Sequence, residues 1–212
     1  MRLAIFDIDG TITSRSMERV FIGFLIRNGL LTRFKLLKSA FQYAMNQPSE
    51  LKHGFQKNKL YLRGFDALMI TQMATLCFEQ CIRRHIRTNV ASEVSVRKTN
   101  GYKILLLSGS LNCLIEPMVS FLGADFYIGT KLEIQSSTLT GMSVGPHPYG
   151  KAKKKLAERF CLQNGFKLTE SVSYGNEYPD AFLMNTTGEA VAVYPDKLLR
   201  EWAEKRNWRI IC

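Results

Sequence analysis

The chain has no apolar run near the ~18 residues that a membrane-spanning helix needs. Behind Met1 and Arg2 the apolar stretch is short and broken by Asp7, too short and too acidic for a secretory signal. Histidine is scarce, and His53, His85 and His147 have no partners at metal-ligand spacing. The five cysteines are an odd number without framework spacing, which reads as reduced thiols in a cytoplasmic protein. Cys77 and Cys81 stand one helical turn apart, but no second Cys/His pair exists to complete a zinc site, so packing is their expected role. No internal repeat or low-complexity tract is visible. Acids are also in short supply, 18 against 29 Lys and Arg, for a net charge of +11.

The surplus is uneven. Between Arg15 and Gly64 ten cationic residues face only Glu18 and Glu50. Such a stretch attracts phosphates, on a small substrate, a lipid surface or nucleic acid. A solvated helical face accounts for the same charge.

Apolar content of 46% over 212 residues suits one domain, or a core domain with a sizeable insertion. Residues 2–6 and KILLLS (103–108) read as buried strands. ADFYIGT is a third, followed by a small hairpin in LEIQSSTLTG. A helix is expected over about 111–122 and another from Lys151 to a stop at Gly165. SVSYG and EAVAVY complete the strands, and the last helix is expected to begin at Pro195. From Ser16 to Arg87 the spacing turns helical, in two to four helices interrupted at Pro48, Gly54 and Gly64. Val20, Phe21, Phe24 and Leu25 form one face, and Leu30, Phe34, Leu37, Phe41, Leu68, Met73 and Leu76 others; both are expected to pack inward. Alternating strands and helices imply an α/β fold, a parallel sheet covered on both faces, with a helical insertion after the first strand.

In such sheets polar ligands sit at the carboxyl ends of the strands. Asp7 and Asp9 follow the first strand, Ser108 the second, Asn176 and Asp180 a later one, and Lys151 opens a helix. Two carboxylates, a hydroxyl, a lysine and a further carboxylate suit phosphoryl transfer, whose transition state spreads charge over three equatorial oxygens. Asp7 is placed to attack phosphorus, and Asp9, two residues on, returns to the same side as general acid and base. Ser108 would bond a phosphoryl oxygen, and Lys151 would neutralise the phosphoryl group and Asp7. Lys153, Lys154 and Lys155 read as surface. Carboxylates facing a phosphate dianion imply Mg²⁺.

FDIDGT, LLLSGS, YGKAKKKL and YGNEYPDAFLM, in this order, resemble the motifs of the haloacid dehalogenase superfamily of phosphohydrolases. LGADFYIGTKLEI and the ending AVAVYPDKLLREWAEKRNW are similar to its phosphoserine phosphatase branch. The resemblance spans nearly the whole chain. It implies a Rossmann-like core over 1–15 and 89–212 with a helical cap over 16–88. It also implies a Mg²⁺-dependent phosphomonoesterase acting through an aspartyl-phosphate on a small phosphorylated metabolite. Asp7 would be the nucleophile, Asp9 the acid/base, and Ser108 and Lys151 phosphate ligands. The metal would rest on Asp7, the Asp9 carbonyl, Asn176 and Asp180.

Relatives carry Asp-Ser where this chain has Asn176-Glu177, which removes a negative charge from the metal site. A phosphate-binding protein with weakened turnover, and a lipid-phosphate phosphatase touching a membrane through its basic cap, are the alternatives. No nucleic-acid partner is expected, and oligomeric state stays open. For substrate choice the resemblance offers Glu18 and, in the cap, Arg63. Trp202 and Trp208 read as packing residues.

Overall fold

The computed structural model describes residues 2–46 and 59–212. Pro48, His53 and Gly54 lie outside them. Strand β1 (Arg2–Phe6) is buried from Leu3 onward because both of its faces are covered. Leu3 and Ile5 pack with Leu105, Leu107, Ala157 and Cys161, whereas Ala4 and Phe6 enter a larger cluster on the other face. Alternation of side chains across a strand, with apolar residues at every position, produces this two-sided burial.

The insertion contains α1 (Met17–Arg27), α2 (Arg33–Asn46) and α3 (Ala67–Cys77), which runs on through tighter and wider turns to His85. Ser16 caps α1 through Arg19 N–H, and Asp66 caps α3 through Met69 N–H. After α4 (Thr88–Thr99) the order is β2 (Tyr102–Leu111), α5 (Asn112–Leu122), β3 (Phe126–Gln135) and β4 (Thr138–Val144). Then come α6 (Lys151–Asn164), β5 (Val172–Gly175), α7 (Ala181–Met184), β6 (Glu189–Val193), α8 (Lys197–Lys205) and β7 (Arg209–Ile211).

The seven strands are ordered β4-β3-β2-β1-β5-β6-β7, with β3 and β4 antiparallel and the rest parallel. The chain builds outward from β1 through β2, β3 and β4 and then crosses to β5 on the other side of β1, so the carboxyl end of β1 is the switch point where α/β sheets open a crevice.

Several expectations shift. β2 runs to Leu111, so Ser108 lies within the strand rather than at its end. The last helix is capped by Asp196, leaving Pro195 outside it. β7, three residues opening on Arg209, is too short to stand out in the sequence. The inward packing of the insertion holds only in part. Phe21, Phe24 and Leu25 are buried, but Phe34, Leu37, Phe41 and Met45 are 77%, 70%, 70% and 68% exposed. Helix α2 turns Leu36 and Ser39 inward instead, which rotates the aromatic stripe outward.

Candidate active site

β1 delivers Asp7 and Asp9 to a cleft of ≈ 390 Å³ at the switch point. Gly10, at φ +89°, turns the chain there; a Cβ on it would lie 2.2 Å from the Asn176 side chain. Asp7 Oδ1 accepts from Lys153 Nζ at 2.7 Å and Oδ2 from Thr11 Oγ1 at 2.7 Å. Asp9 Oδ1 accepts from Met17 N–H at 2.6 Å, and Oδ2 from Ser108 Oγ at 3.1 Å and Ser110 Oγ at 2.5 Å. The insertion's first helix and β2 therefore orient Asp9 together.

Lysine placement differs from the expectation. Lys151 is exposed, its ammonium 5.5 Å from the Phe182 ring centroid. Lys153 is 5% exposed and bridges Asp7 and Asp180, 2.7 Å from each. The buried stripe of α6 is Lys153, Ala157 and Cys161, so helical phase brings in the third residue after Gly150 rather than the first. That stripe was readable in the sequence. So was Ser110: it stands two residues beyond Ser108 on one strand and shares its face.

Burial pushes Asp7 up to about 7 from 3.8, against the pull of Lys153 and reinforced by the Asp180 charge. Burial opposes the charge on Lys153, but Asp180 and Asp7 hold it above the ordinary lysine range.

Asp180 is tied to its surroundings at both oxygens. Oδ1 accepts from Lys153, and Oδ2 from the Asn176 and Glu177 N–H groups at 3.1 and 3.2 Å. It positions Lys153 and the Asn176 loop, where the sequence reading made it a metal ligand. Glu177 also lines the cleft, its carboxyl raised by burial and by Asp180.

One terminal atom of the Asn176 carboxamide lies 3.1 Å from both Asp7 Oδ2 and the Asp9 carbonyl oxygen. As nitrogen it donates to both and to Thr11 Oγ1. Turned over, it presents an oxygen whose separations from the Asp7 and Asp9 oxygens are near the ~2.9 Å expected between adjacent ligands of Mg²⁺ bonded at ~2.0–2.1 Å. The residues fit the ion through a carboxylate, a backbone carbonyl and an amide. Among the described residues no group of three acidic, His or Cys side chains offers an alternative.

The expected substrate residues separate. Glu18 lines the cleft, but its carboxylate is paired with buried Lys59 and accepts from Tyr61 OH at 2.8 Å. Arg63 is exposed beside Gly141 and does not line the cleft. His147, expected to play no part, does line it and bonds Thr130 Oγ1 at 3.0 Å. Trp202 and Trp208 pack at α8 and β6, as expected.

A carboxylate pair at the carboxyl end of a central parallel strand is the arrangement found in one class of α/β hydrolase. The family model for haloacid dehalogenase-like hydrolase matches residues 4–184, and the chain belongs to that family. It is 24% identical over 98% of its length to the inhibition of morphological differentiation protein of Streptomyces azureus, covering 77% of that protein. It is likewise 24% identical over 98% of its length to a phosphoserine phosphatase of Mycobacterium tuberculosis, covering 69% of it. Among solved structures, a Bordetella pertussis protein of unknown function superposes with TM-score 0.86 at 19% identity, covering 100% of this chain and 98% of that one. A substrate-bound phosphoserine phosphatase gives 0.68 at 18%, covering 99% and 92%. The chain is therefore a haloacid dehalogenase-like hydrolase that is similar over nearly its whole length to proteins named phosphoserine phosphatase.

Proposed function

We propose that the chain hydrolyses a small phosphorylated metabolite through an aspartyl-phosphate on Asp7, with Mg²⁺ as cofactor. The observation that carries this reading is the convergence of Asp7, Asp9, Ser108 and Lys153 at the end of β1. The Asp7 carboxylate attacks phosphorus, and the bond to the leaving oxygen breaks as Asp9 gives that oxygen a proton. Water then attacks the phosphoaspartate, Asp9 takes its proton, and phosphate leaves with Asp7 restored. Lys153 balances the charge of Asp7 and of the phosphoryl oxygens throughout. When bound by Asp7, the Asp9 carbonyl and Asn176, Mg²⁺ supplies charge neutralisation to the phosphate.

Glu18 is already neutralised by Lys59, so it does not offer a free carboxylate to a substrate ammonium. This argues against phosphoserine as the preferred substrate. Turnover of p-nitrophenyl phosphate with Mg²⁺, lost by at least ~10³-fold in Asp7→Asn, tests the assignment. Appreciable activity in a folded Asp7→Asn variant removes Asp7 as nucleophile.

A second reading, a phosphatase that meets its substrate at an anionic lipid surface, is favoured by α2. That helix contains no acid; Phe34, Leu37, Phe41 and Met45 are exposed among Arg33, Lys35 and Lys38. No helix among the described residues is long and apolar enough to cross a membrane, so contact would be through this face.

A further inference from the structure

Beside the catalytic cleft lies a second cavity of ≈ 520 Å³, framed by Arg15, Arg19, Arg27, Arg84 and His85. The two cavities share Ser14, Arg15, Ser16 and Arg19, so they form one continuous depression. The second sits where the chain leaves the sheet for the insertion and returns from it. Ser14 N–H bonds the His85 carbonyl at 2.9 Å and Arg87 N–H the Ile12 carbonyl at 2.8 Å, so the two crossings are fixed side by side.

No acid lines this cavity. Among the described residues, none of its four arginines is paired with a carboxylate; the one guanidinium with a side-chain partner is that of Arg27, on Cys81 Sγ at 3.3 Å. Nearby acids are taken: Glu18 by Lys59, and Glu79 by Arg83. The uncompensated field reaches His85, which burial and then the charges of Arg15 and Arg84 hold below the ordinary histidine range. Four like charges around one cavity repel one another, and an anion removes that cost. Guanidinium forks match carboxylate and phosphate oxygens in pairs.

We propose that this arginine-lined cavity is a second anion subsite, so that the substrate carries a phosphate or carboxylate in addition to the phosphate presented to Asp7. The subsite deepens the phosphatase reading and rests on it for the identity of the first anion. It accounts for the basic segment at Arg15 and Arg19 as recognition. Binding across the two crossings also ties the insertion to the sheet whenever the doubly anionic substrate is seated.

The test compares a series of straight-chain diol bisphosphates with the monophosphates of the same chains. In the native protein the bisphosphate of matching length should show a KM at least about tenfold lower than its monophosphate, the factor of one charge-assisted contact. That ratio should collapse toward one in Arg84→Ala and in Arg27→Ala/Arg84→Ala, and return in part in Arg84→Lys. Adding an acyl chain to the preferred bisphosphate separates the two sources of this chemistry: a further fall in KM identifies a lipid headgroup, no fall a free metabolite. Equal KM values for every pair in the native protein, or a bisphosphate advantage that survives in the double variant, overturn the subsite. If no ester is turned over, the phosphatase reading fails by itself. Calorimetric titration with the same esters then decides the subsite, supporting it if the bisphosphate binds tighter only while Arg84 is present and refuting it otherwise.

Discussion

Lys153→Met removes the cation that bridges Asp7 and Asp180. The side chain keeps most of its length, so the packing of α6 against the sheet is largely preserved and the loss is electrostatic. Two buried charge-assisted hydrogen bonds of 2.7 Å disappear. At about 1.5–3 kcal/mol each, the loss is about 3–6 kcal/mol, matching the ~3–5 kcal/mol typical when one partner of a buried pair is removed. For a chain of this length each kcal/mol moves the melting temperature by about 2–4 °C, so a fall of about 10–15 °C is expected. The effect has a sign in pH. Asp7 already titrates near about 7 against 3.8, burial outweighing the pull of Lys153. Without that pull its folded-state value rises further. A carboxyl whose folded pKa is raised penalises folding once it ionises, and the penalty starts above its unfolded value and grows up to the folded one. Both proteins carry the same growing penalty until pH nears the native folded value, so the deficit of the variant should hold steady from about pH 4 to about pH 7 and widen from there toward about pH 9. Thermal melts across that range, with kcat/KM on p-nitrophenyl phosphate expected to fall by about 10²–10³-fold, measure both consequences. Lys151→Met, which changes an exposed lysine, is the control and should be near neutral. Native-like melting and turnover in Lys153→Met, or the larger loss in Lys151→Met, would refute the arrangement.

Asn176→Asp places a carboxylate oxygen about 3 Å from two acceptors, so it should melt lower in chelator, while Mg²⁺ should bind about tenfold tighter and raise the melting temperature more than in the native protein. An identical metal-induced shift in both proteins would mean that this loop does not hold the ion. Phe34→Ser/Phe41→Ser should cut co-sedimentation with anionic vesicles by at least about tenfold, since each phenyl burial is worth about 1.5–3 kcal/mol. Absence of vesicle binding by the native protein would refute the lipid reading, and self-association lost in the variant would assign the face to a second copy.

The central strands were legible because a buried parallel strand is a short apolar run bounded by turn residues, as Leu3–Phe6 and Ile104–Leu107 are. Asp7 and Asp9 were legible for the same reason: a polar pair that ends such a run has to project from the sheet's carboxyl edge. What failed was rotation about helix axes. A motif fixes the order of residues along the chain, but Lys151 and Lys153 are distinguished by the face that α6 turns to β1, which the i, i+4 spacing of Lys153, Ala157 and Cys161 marks and the motif does not. In α2 the same ambiguity hid the exposed stripe, because Phe34 and Leu36 both belong to apolar patterns and only the docking of Leu36 and Ser39 chooses between them. Partners distant in sequence were hidden as well. Nothing near Glu18 signals that Lys59 and Tyr61 will neutralise it, so a carboxylate that suggested an amine-gripping residue becomes part of the protein's own interior. The charges the cleft can offer a substrate are those left unpaired after folding. On the side of the insertion these are arginines, which is why the surplus of positive charge in the sequence argues for substrate anions rather than for a solvated face alone.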